Sequence, residues 1–465
     1  MSSLASSLAD SSPPKINASP AAESPVDQSS AVDQSSKFSL QDAVSRFNLK
    51  SPTLTPSIGA LILAAVPKNE WSDKKERKYV VKAVKAAITS QNGVLPKATK
   101  PYSPRGDPRG PFTFPSPTPT SPLKISTNYP LLLTTLPPFP SLSFVSPSSS
   151  STYLFSVTPI TDHLSLPSST IINQFPYEGG IVQKDLLPLT VRAYCYVNDV
   201  KPKWWLECYD MSTEFHLFKE RWEGGFGKWV IKESKGTHSK GTKVVGTVEE
   251  AAEFLEENGG KEYIAQEVVM RPMLVGGRKF DLRVWCFVRS FGDGKEQFEG
   301  YVSKFVHARV SNKIYDVERL DDEEVFLTIS TYNEELDNGE RLTPERLKRR
   351  LLEENPDFNW EKMFASITQT ASELFRGAAP SIGHWPRSRA YYGLDMIMTV
   401  DDSGEYTSNL LEVNFAGDFD SARETQRQAV ETSEGPQDDY DTWLEDLAEV
   451  LFYNNEVTSE RLVRL

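Results

Sequence analysis

Proline is distributed very unevenly along this chain of 465 residues, because 21 of the 32 prolines fall within residues 1–150. The same segment is rich in Ser, Thr and Ala and has few apolar residues at helix or strand spacing. Such a sequence cannot bury enough apolar surface to offset the roughly 1–2 kcal/mol of backbone entropy lost per ordered residue. We therefore expect residues 1–150 to be of low complexity and mostly disordered, apart from one helix at residues 72–89.

Several classes of protein are disfavoured by composition. The formal net charge of −13 excludes a generally basic nucleic-acid coat, so we expect no nucleic-acid partner. The most apolar run, residues 58–66, is shorter than the ~20 residues that span a bilayer, so we expect no membrane partner. Three cysteines make neither a disulfide framework nor a CxxC metal site, which favours a reducing compartment. We expect a cytoplasmic monomer. A transit peptide is the alternative for residues 1–50, which hold one arginine against five acidic residues.

From residue 151 onward the sequence has the composition of a folded region. Helical patterns begin at the capping residues Thr247 and Thr343, and a long amphipathic pattern covers residues 360–378. Between them lie β-rich apolar runs at residues 152–157, 191–197, 228–232, 263–269, 280–289, 299–310, 389–400 and 409–415. Helices mixed with hairpin-connected strands predict an α+β fold.

The most informative pattern is a predicted antiparallel hairpin formed by RAYYGLDMIMT and NLLEVNF, with a turn-rich segment between them. Alternation along a strand places Glu412 and Asn414 on one face and turns Leu411 and Val413 to the other. Asp395 is a carboxylate within an apolar strand, which is costly unless it is paired. Two carboxylates and an amide form an all-oxygen ligand set suited to Mg²⁺. The alternative is that Asp395 and Glu412 only form ion pairs with Arg or Lys.

A second pattern, KFDLR, places Lys279, Asp281 and Arg283 on one face of a strand. Three charged side chains within an otherwise apolar strand predict a charged cleft, in which an arginine can bind a phosphate or carboxylate with two hydrogen bonds. The alternative is a solvated outer face of a sheet.

A third pattern is a strand carrying Lys232 that leads into a loop containing Gly236 and Gly241. Residues 228–246 hold five lysines and one acidic residue, a local charge of +4. Glycines leave backbone amides free to bind an anion, and the lysines add positive charge, so this loop is predicted to cover a triphosphate. The GxxxxGK[ST] pattern of a P-loop is absent. The alternative is an ordinary surface loop. Downstream, YIAQEVVMRP is either an adenine-facing connector or a simple buried strand.

Taken in order, KWVIKES with its glycine loop, YIAQEVVMRPML, KFDLR, ARVSNKIY, YYGLDMIM and LLEVNF resemble the tubulin-tyrosine ligase-like family of ATP-grasp enzymes. The resemblance covers about residues 171–452. It implies an ATP-grasp fold whose two α+β lobes enclose ATP and Mg²⁺ behind a small N-terminal lobe. The implied boundaries are an N-terminal lobe at residues 151–227, the central and C-terminal lobes at residues 228–455 and a tail at residues 456–465.

The resemblance also implies a reaction and a set of roles. A carboxylate of a protein, the tail of tubulin or of microtubules, is activated as an acylphosphate and then attacked by an amino acid. Arg283, Arg309 and Glu412 are implied as catalytic residues and Asp395, Glu412 and Asn414 as ligands of Mg²⁺. The implied ATP-binding residues are Lys184, Lys232, Gly236, Gly241, Gln266, Glu267, Val268, Lys279 and Asp281.

The sequence departs from the family at two places on the side that would bind the acceptor amino acid or the metal. Active ligases carry HLTN after the equivalent of Arg309, whereas this chain has FLTIS, with Phe326 for the histidine and Ile329 for the asparagine. An REG triplet is replaced by residues 304–306, KFV. A pseudo-ligase that binds ATP or tubulin without chemistry is therefore the second hypothesis. The sequence does not identify the amino acid, the protein substrate or the role of residues 1–150.

Overall fold

The structure is a computed structural model of the chain. It describes residues 112–134, 139–145, 151–160, 163, 165–223, 227–236, 241–292, 298–328, 340–383, 385–417 and 442–465. The helix predicted at residues 72–89 lies outside the described residues. Among the helices that are described, none is both long and apolar enough to cross a membrane.

A four-stranded parallel sheet forms the N-terminal lobe. Its strands are β1 (Leu123–Thr127), β2 (Leu142–Val145), β3 (Tyr153–Phe155) and β4 (Ile171–Ile172), in the order β2-β1-β3-β4, with helix α1 (Pro130–Thr134) between the first two. The lobe therefore begins upstream of the boundary predicted at residue 150. Leu123 and Ile125 are buried apolar residues, and their strand β1 pairs with β3, which lies beyond the low-complexity segment.

Three helices follow this sheet: α2 (Gly179–Val182), α3 (Leu186–Asn198) and α4 (Phe215–Glu223). The prediction of a strand at residues 191–197 is wrong, because this run lies within α3. Its buried residues Leu187, Val191 and Thr190 share one side of the helix and pack towards the core.

A second four-stranded sheet is antiparallel, in the order β5-β8-β6-β7. Its strands are β5 (Cys208–Asp210), β6 (Trp229–Glu233), β7 (Lys243–Val245) and β8 (Tyr263–Glu267), and helix α5 (Val248–Glu257) joins the last two. The Thr247 hydroxyl accepts a hydrogen bond from the Glu250 amide at 3.1 Å, which confirms the predicted cap. Strand β5 belongs to this sheet, although the predicted boundary had assigned residues 208–210 to the N-terminal lobe.

The third and largest sheet has seven strands and carries the predicted chemistry. Its main order is β12-β11-β10-β13-β14, while β9 pairs with β10 and β15 pairs with β11. Its strands are β9 (Leu274–Val275), β10 (Arg278–Ser290), β11 (Glu299–Ile314), β12 (Arg341–Leu342), β13 (Ala390–Val400), β14 (Tyr406–Phe415) and β15 (Leu462–Arg464). The prediction of a separate tail at residues 456–465 is wrong, because Val463 pairs with Val302 of β11.

The helices of this part pack around the large sheet. They are α6 (Glu323–Phe326), α7 (Pro344–Glu354), α8 (Trp360–Ile382) and α9 (Thr442–Leu447), with a 3₁₀ turn at Val317–Arg319 and a π-helix at Ala448–Phe452. Buried residues of α8, including Ile367 and Phe375, join the core formed by one face of the sheet, which leaves the other face to line a cleft. The α+β class predicted from the sequence is confirmed.

The predicted hairpin is present as the antiparallel pair β13 and β14, but it contains a β-bulge. Asp395 lies opposite Glu412, whereas the next residue, Met396, lies opposite Leu410. One extra residue on β14 shifts the alternation of its side chains. As a result Leu411 lines the cleft together with Glu412, and the prediction that it faces away is wrong.

Candidate active site

A cavity of about 340 Å³ lies between the antiparallel four-stranded sheet and the face of the large sheet that is turned away from α8. Thirteen of the fourteen predicted site residues line it. They are Lys184, Lys232, Gly236, Gln266, Glu267, Val268, Lys279, Asp281, Arg283, Arg309, Asp395, Glu412 and Asn414. The exception is Gly241, which has a left-handed φ of +70° and precedes Thr242, itself a lining residue. Residues 237–240 between the two glycines lie outside the described part of the chain.

One row of side chains crosses four adjacent strands of the large sheet. The pairing register places His307 of β11 opposite Arg283 of β10, Arg283 opposite Asp395 of β13, and Asp395 opposite Glu412 of β14. All four residues line the cavity. The row therefore brings a carboxylate pair, an arginine and a histidine onto one wall.

Asp395 is 3% exposed and forms ion pairs with two arginines. Arg283 donates to both carboxylate oxygens and Arg309 donates to Oδ2 at 3.0 Å. Burial on its own raises the pKa of Asp395, but the two guanidinium groups outweigh it and hold this pKa well below its usual range. The ion-pair alternative thus describes the contacts of Asp395, while its position in the cleft agrees with the site prediction.

A second row runs beside the first. Arg341 of β12 lies opposite Arg309, which lies opposite Asp281 of β10. Arg309 Nε donates to Asp281 Oδ1 at 2.6 Å, and the Thr328 hydroxyl donates to the other oxygen of Asp281. Both catalytic arginines predicted from the sequence are therefore held by buried carboxylates, which fixes their cationic groups in the cleft.

Contacts that involve two lysines and Gln266 connect the two sides of the cleft. Lys184 Nζ donates to the Gly236 carbonyl oxygen at 2.9 Å and lies 3.3 Å from Glu412 Oε2. Lys232 Nζ donates to Gln266 Oε1 at 2.8 Å, and Gln266 Nε2 donates to the Leu411 carbonyl oxygen at 3.2 Å. Burial lowers the pKa of Lys232. The predicted phosphate-binding and adenine-binding residues thus converge on the β14 side of the cleft.

Lys279 is packed against the residue that replaces the histidine of HLTN. Its ammonium group lies 3.7 Å from the centre of the Phe326 ring and donates to the Phe326 carbonyl oxygen at 2.7 Å. Burial lowers the pKa of Lys279 to about 7, an effect that Asp281 partly opposes. Phe326, Leu327 and Thr328 all line the cleft, whereas residue 329 lies outside the described residues.

We expect Lys279 to contribute a rise in the free energy of unfolding between about pH 7 and pH 10.4, because over that range the unfolded chain keeps a proton on Lys279 that the folded chain has lost. One proton gives a slope of at most about 1.4 kcal/mol per pH unit. Lys279→Met should remove this part of the slope, as measured by urea unfolding at pH 7.5 and 9.0. Lys304→Met, an exposed site on β11, should leave the slope as in the parent chain. Equal slopes for the parent and Lys279→Met would contradict the assignment.

The donors predicted from the sequence for a magnesium ion are two carboxylates and one amide, those of Asp395, Glu412 and Asn414. Within the described residues no group of three or more His, Cys, Asp or Glu side chains is placed to hold a metal ion. Glu412 and Asn414 face the cleft, and Asn414 Nδ2 donates to Asp395 Oδ2 at 3.1 Å. Oxygen donors beside a phosphate-binding surface suit an ion that keeps waters and nucleotide oxygens as further ligands. The residue types therefore suit Mg²⁺, and an ion bound here would have to share Asp395 with Arg283 and Arg309.

His307 and Arg341 also line the cleft, although the sequence patterns did not single them out. Strand alternation would have found His307, since it lies two residues before Arg309 and so shares its face of the strand. Arg341 could not be found in this way, because its two-residue strand offers no alternation. The replaced REG triplet contributes nothing to the lining: Lys304 is exposed and Val306 is buried in the core.

Two clusters of basic residues are candidates for docking an acidic tail: Lys201 with Lys203, and Arg346, Lys348, Arg349 and Arg350 on α7. Members of both clusters form ion pairs within the protein. Lys201 pairs with Glu207 at 2.9 Å and Lys203 pairs with Glu405 at 2.7 Å. Arg350 pairs with Glu340 at 2.7 Å. Trp204 and Trp205, which directly follow Lys203, are buried. The neutralised pairs make these two surfaces poor candidates for binding an acidic peptide.

Two lobes enclosing a cleft with lysines on one wall and paired charges on the other define the ATP-grasp class of proteins. The C-terminal domain of K. lactis Pby1, described as an ATP-grasp enzyme that interacts with the mRNA decapping enzyme Dcp2, superposes with a TM-score of 0.51 at 18% identity. The match covers 74% of this chain and 98% of that domain, and it shows the shared fold.

Within this class, the chain belongs to the tubulin-tyrosine ligase family, whose sequence model matches residues 163–432. It is 27% identical over 271 residues to tubulin-tyrosine ligase-like protein 12 of Caenorhabditis elegans, covering 53% of this chain and 38% of that protein. It is 32% identical over 126 residues to the probable tubulin polyglutamylase ttll-9 of the same organism, covering 26% of this chain and 29% of that protein. The chain thus spans well under half the length of these relatives.

Proposed function

We propose that this protein is an ATP- and Mg²⁺-dependent ligase that joins an amino acid to a carboxylate of a protein, with the tail of tubulin as the substrate. The observation that carries the proposal is the convergence of thirteen predicted residues on one cleft. Its relatives include a probable tubulin polyglutamylase, which supports tubulin as the substrate. The proposal places the protein in the cytoplasm, acting as a monomer.

The chemistry proceeds in two steps. A carboxylate oxygen of the protein substrate attacks the γ-phosphorus of ATP, which releases ADP and forms an acylphosphate. The amine of an amino acid then attacks the acyl carbon, so that a C–N bond forms, phosphate leaves and the amine gives up a proton. Both steps need cations fixed around the phosphoryl group.

Different residues of the cleft have different roles in this reaction. Lys184 and Lys232 bind the phosphates on the β14 side, and Gln266 with its neighbours binds the adenine. Arg283 and Arg309, held by Asp395 and Asp281, stabilise charge on the transferred phosphoryl group. Mg²⁺ on Glu412, Asn414 and Asp395 would supply further neutralisation of phosphate charge.

A second candidate function follows from one local observation. Phe326 occupies the place of the histidine of HLTN, and its ring and carbonyl both hold Lys279. An apolar side chain cannot exchange protons or bind a metal, so the cleft has no histidine at the place where active ligases carry one. A regulatory protein that binds ATP without ligation is the candidate that this substitution favours.

Label transfer separates the two candidates. The full-length chain incubated with tubulin, Mg²⁺-ATP and labelled tyrosine or glutamate should place label on tubulin. Tubulin from which the acidic tails have been removed by proteolysis should receive none, and the variant Lys232→Met should transfer none to intact tubulin. An absence of label, while Mg²⁺-ATP still raises the melting temperature, would overturn the ligase and leave the ATP-binding regulator.

A further inference from the structure

His307 lines the cleft but has no role in the proposed binding of ATP or Mg²⁺, and its surroundings are those of a ligand-binding residue. Its side chain is 1% exposed, and its Nδ1 atom has no hydrogen-bond partner among the described residues. Among the described residues, His307 Nδ1 is the only buried polar side-chain atom without a hydrogen-bond partner that belongs to a residue lining the cleft. A buried polar atom without a partner is costly, so such atoms are rare in folded proteins unless a ligand or water satisfies them.

The position of His307 separates it from the nucleotide. In the row His307, Arg283, Asp395 and Glu412, three strand spacings of about 4.8 Å place it roughly 14 Å from the β14 end. The contacts proposed for ATP lie at that β14 end, around Lys184 and Gln266. The β11 side of the cleft is therefore left for the second small reactant.

The charges at this end favour an anion. Arg283, Arg309 and Arg341 lie near His307, and burial together with these three guanidinium groups lowers the pKa of the imidazole well below its usual range. Asp395 and Asp281 form ion pairs with Arg283 and Arg309. Guanidinium groups beside a neutral imidazole, which has one N–H to donate, suit the carboxylate of an amino acid.

The end wall of this subsite is aromatic and closely packed. The Trp285 ring centre lies 6.1 Å from that of His307. A Cβ atom added to Gly417 would lie 2.3 Å from the Trp285 ring, so the indole rests directly against the backbone there. His307 is thus held in place by a neighbour that cannot easily shift, which gives its ring a fixed direction.

We propose that His307 binds the free amino acid in the acceptor subsite, where its Nδ1 donates a hydrogen bond to the α-carboxylate near Arg283, Arg309 and Arg341. This inference rests on the proposed ligase function. It concerns the amino acid alone and predicts no effect on binding of the nucleotide.

The test measures the binding of tyrosine, glutamate and glycine to the full-length chain by calorimetry, with Mg²⁺ and a non-hydrolysable ATP analogue present. His307→Leu should weaken binding of the preferred amino acid about 10- to 100-fold. His307→Asn, whose amide nitrogen can take the place of Nδ1, should stay within about threefold of the parent. His307→Gln, whose amide extends to the position of the other ring nitrogen, should resemble the leucine variant. Affinity for the ATP analogue should change less than about twofold in all three.

The control is His216→Leu, which changes an exposed histidine on α4 and should alter neither affinity. Equal affinities of the asparagine and glutamine variants for the amino acid would overturn the inference, and this comparison holds even if the leucine variant fails to fold. A parallel loss of nucleotide affinity would overturn it as well, because His307 would then be only a structural residue. If the parent chain binds the ATP analogue but none of the amino acids, the ligase proposal fails and the inference fails with it.

Discussion

Replacing Asp395 with asparagine should lower the free energy of unfolding by about 3–5 kcal/mol, as measured by urea denaturation at neutral pH. The carboxylate is buried and pairs with Arg283 and with Arg309. Asparagine keeps one acceptor oxygen but removes the negative charge, so two buried guanidinium groups lose a shared counter-ion. Arg309 retains Asp281, whereas Arg283 keeps no ion pair among the described residues.

The matched control is Asp402→Asn, the same substitution at an exposed residue in the turn of the same hairpin. It should change the free energy of unfolding by less than about 0.5 kcal/mol. A loss below 1 kcal/mol for Asp395→Asn would contradict the proposal that the paired charges hold the cleft together. Arg283→Met in the Asp395→Asn background should recover part of the loss, because it removes the unpaired cation.

Replacing Glu412 with glutamine should abolish most of the stabilisation that ATP gives in the presence of Mg²⁺. Glu412 is partly exposed at the edge of the cleft, where its only ion pair among the described residues is with Lys184 at 3.3 Å. The fold should therefore tolerate the change. Loss of one carboxylate ligand should weaken Mg²⁺-ATP binding at least tenfold, which removes about 1.4 kcal/mol of stabilisation at saturating ligand. Melting curves with ATP, with and without Mg²⁺, measure the effect.

Glu405→Gln provides the comparison for Glu412→Gln, since Glu405 lies in the same hairpin and pairs with an exposed lysine. It should leave Mg²⁺-ATP stabilisation intact. If Mg²⁺-ATP stabilises the Glu412→Gln variant as much as it stabilises the parent chain, the metal ligands have been misassigned. If it weakens ATP binding equally with and without Mg²⁺, its contact with Lys184 would be the cause instead.

The sequence was most informative where strands are long and regular. In KFDLR, three charged residues at alternate positions predicted one charged face, and Lys279, Asp281 and Arg283 do line the same cleft. The hairpin of β13 and β14 was predicted from its turn and its apolar strands, and it is present. Alternation is a local property of extended backbone, so it can be seen without knowledge of the tertiary structure.

Other features depend on pairing between distant segments. The bulge at Leu411 is a mismatch in the number of residues between β13 and β14, and no residue type in this part of the sequence predicts it. Without the bulge, continuous pairing from Met396 and Leu410 would place Leu411 opposite Asp395 and would turn Glu412 towards the core. The role of His307 could be recognised only from the strand register that places it opposite Arg283. The ordered strand before residue 150 could be recognised only from its pairing with a later strand.

The lysine contacts across the cleft have a consequence for the way a nucleotide would enter. Lys184 donates a hydrogen bond to Gly236 and forms an ion pair with Glu412, and Lys232 donates a hydrogen bond to Gln266. Each cation therefore already has an oxygen partner in the structure. A triphosphate would therefore exchange one set of oxygen atoms for another around cations that already point to the right place. Such an exchange costs little reordering of side chains, and selectivity then depends on how well an incoming anion competes with the oxygen atoms of the protein itself.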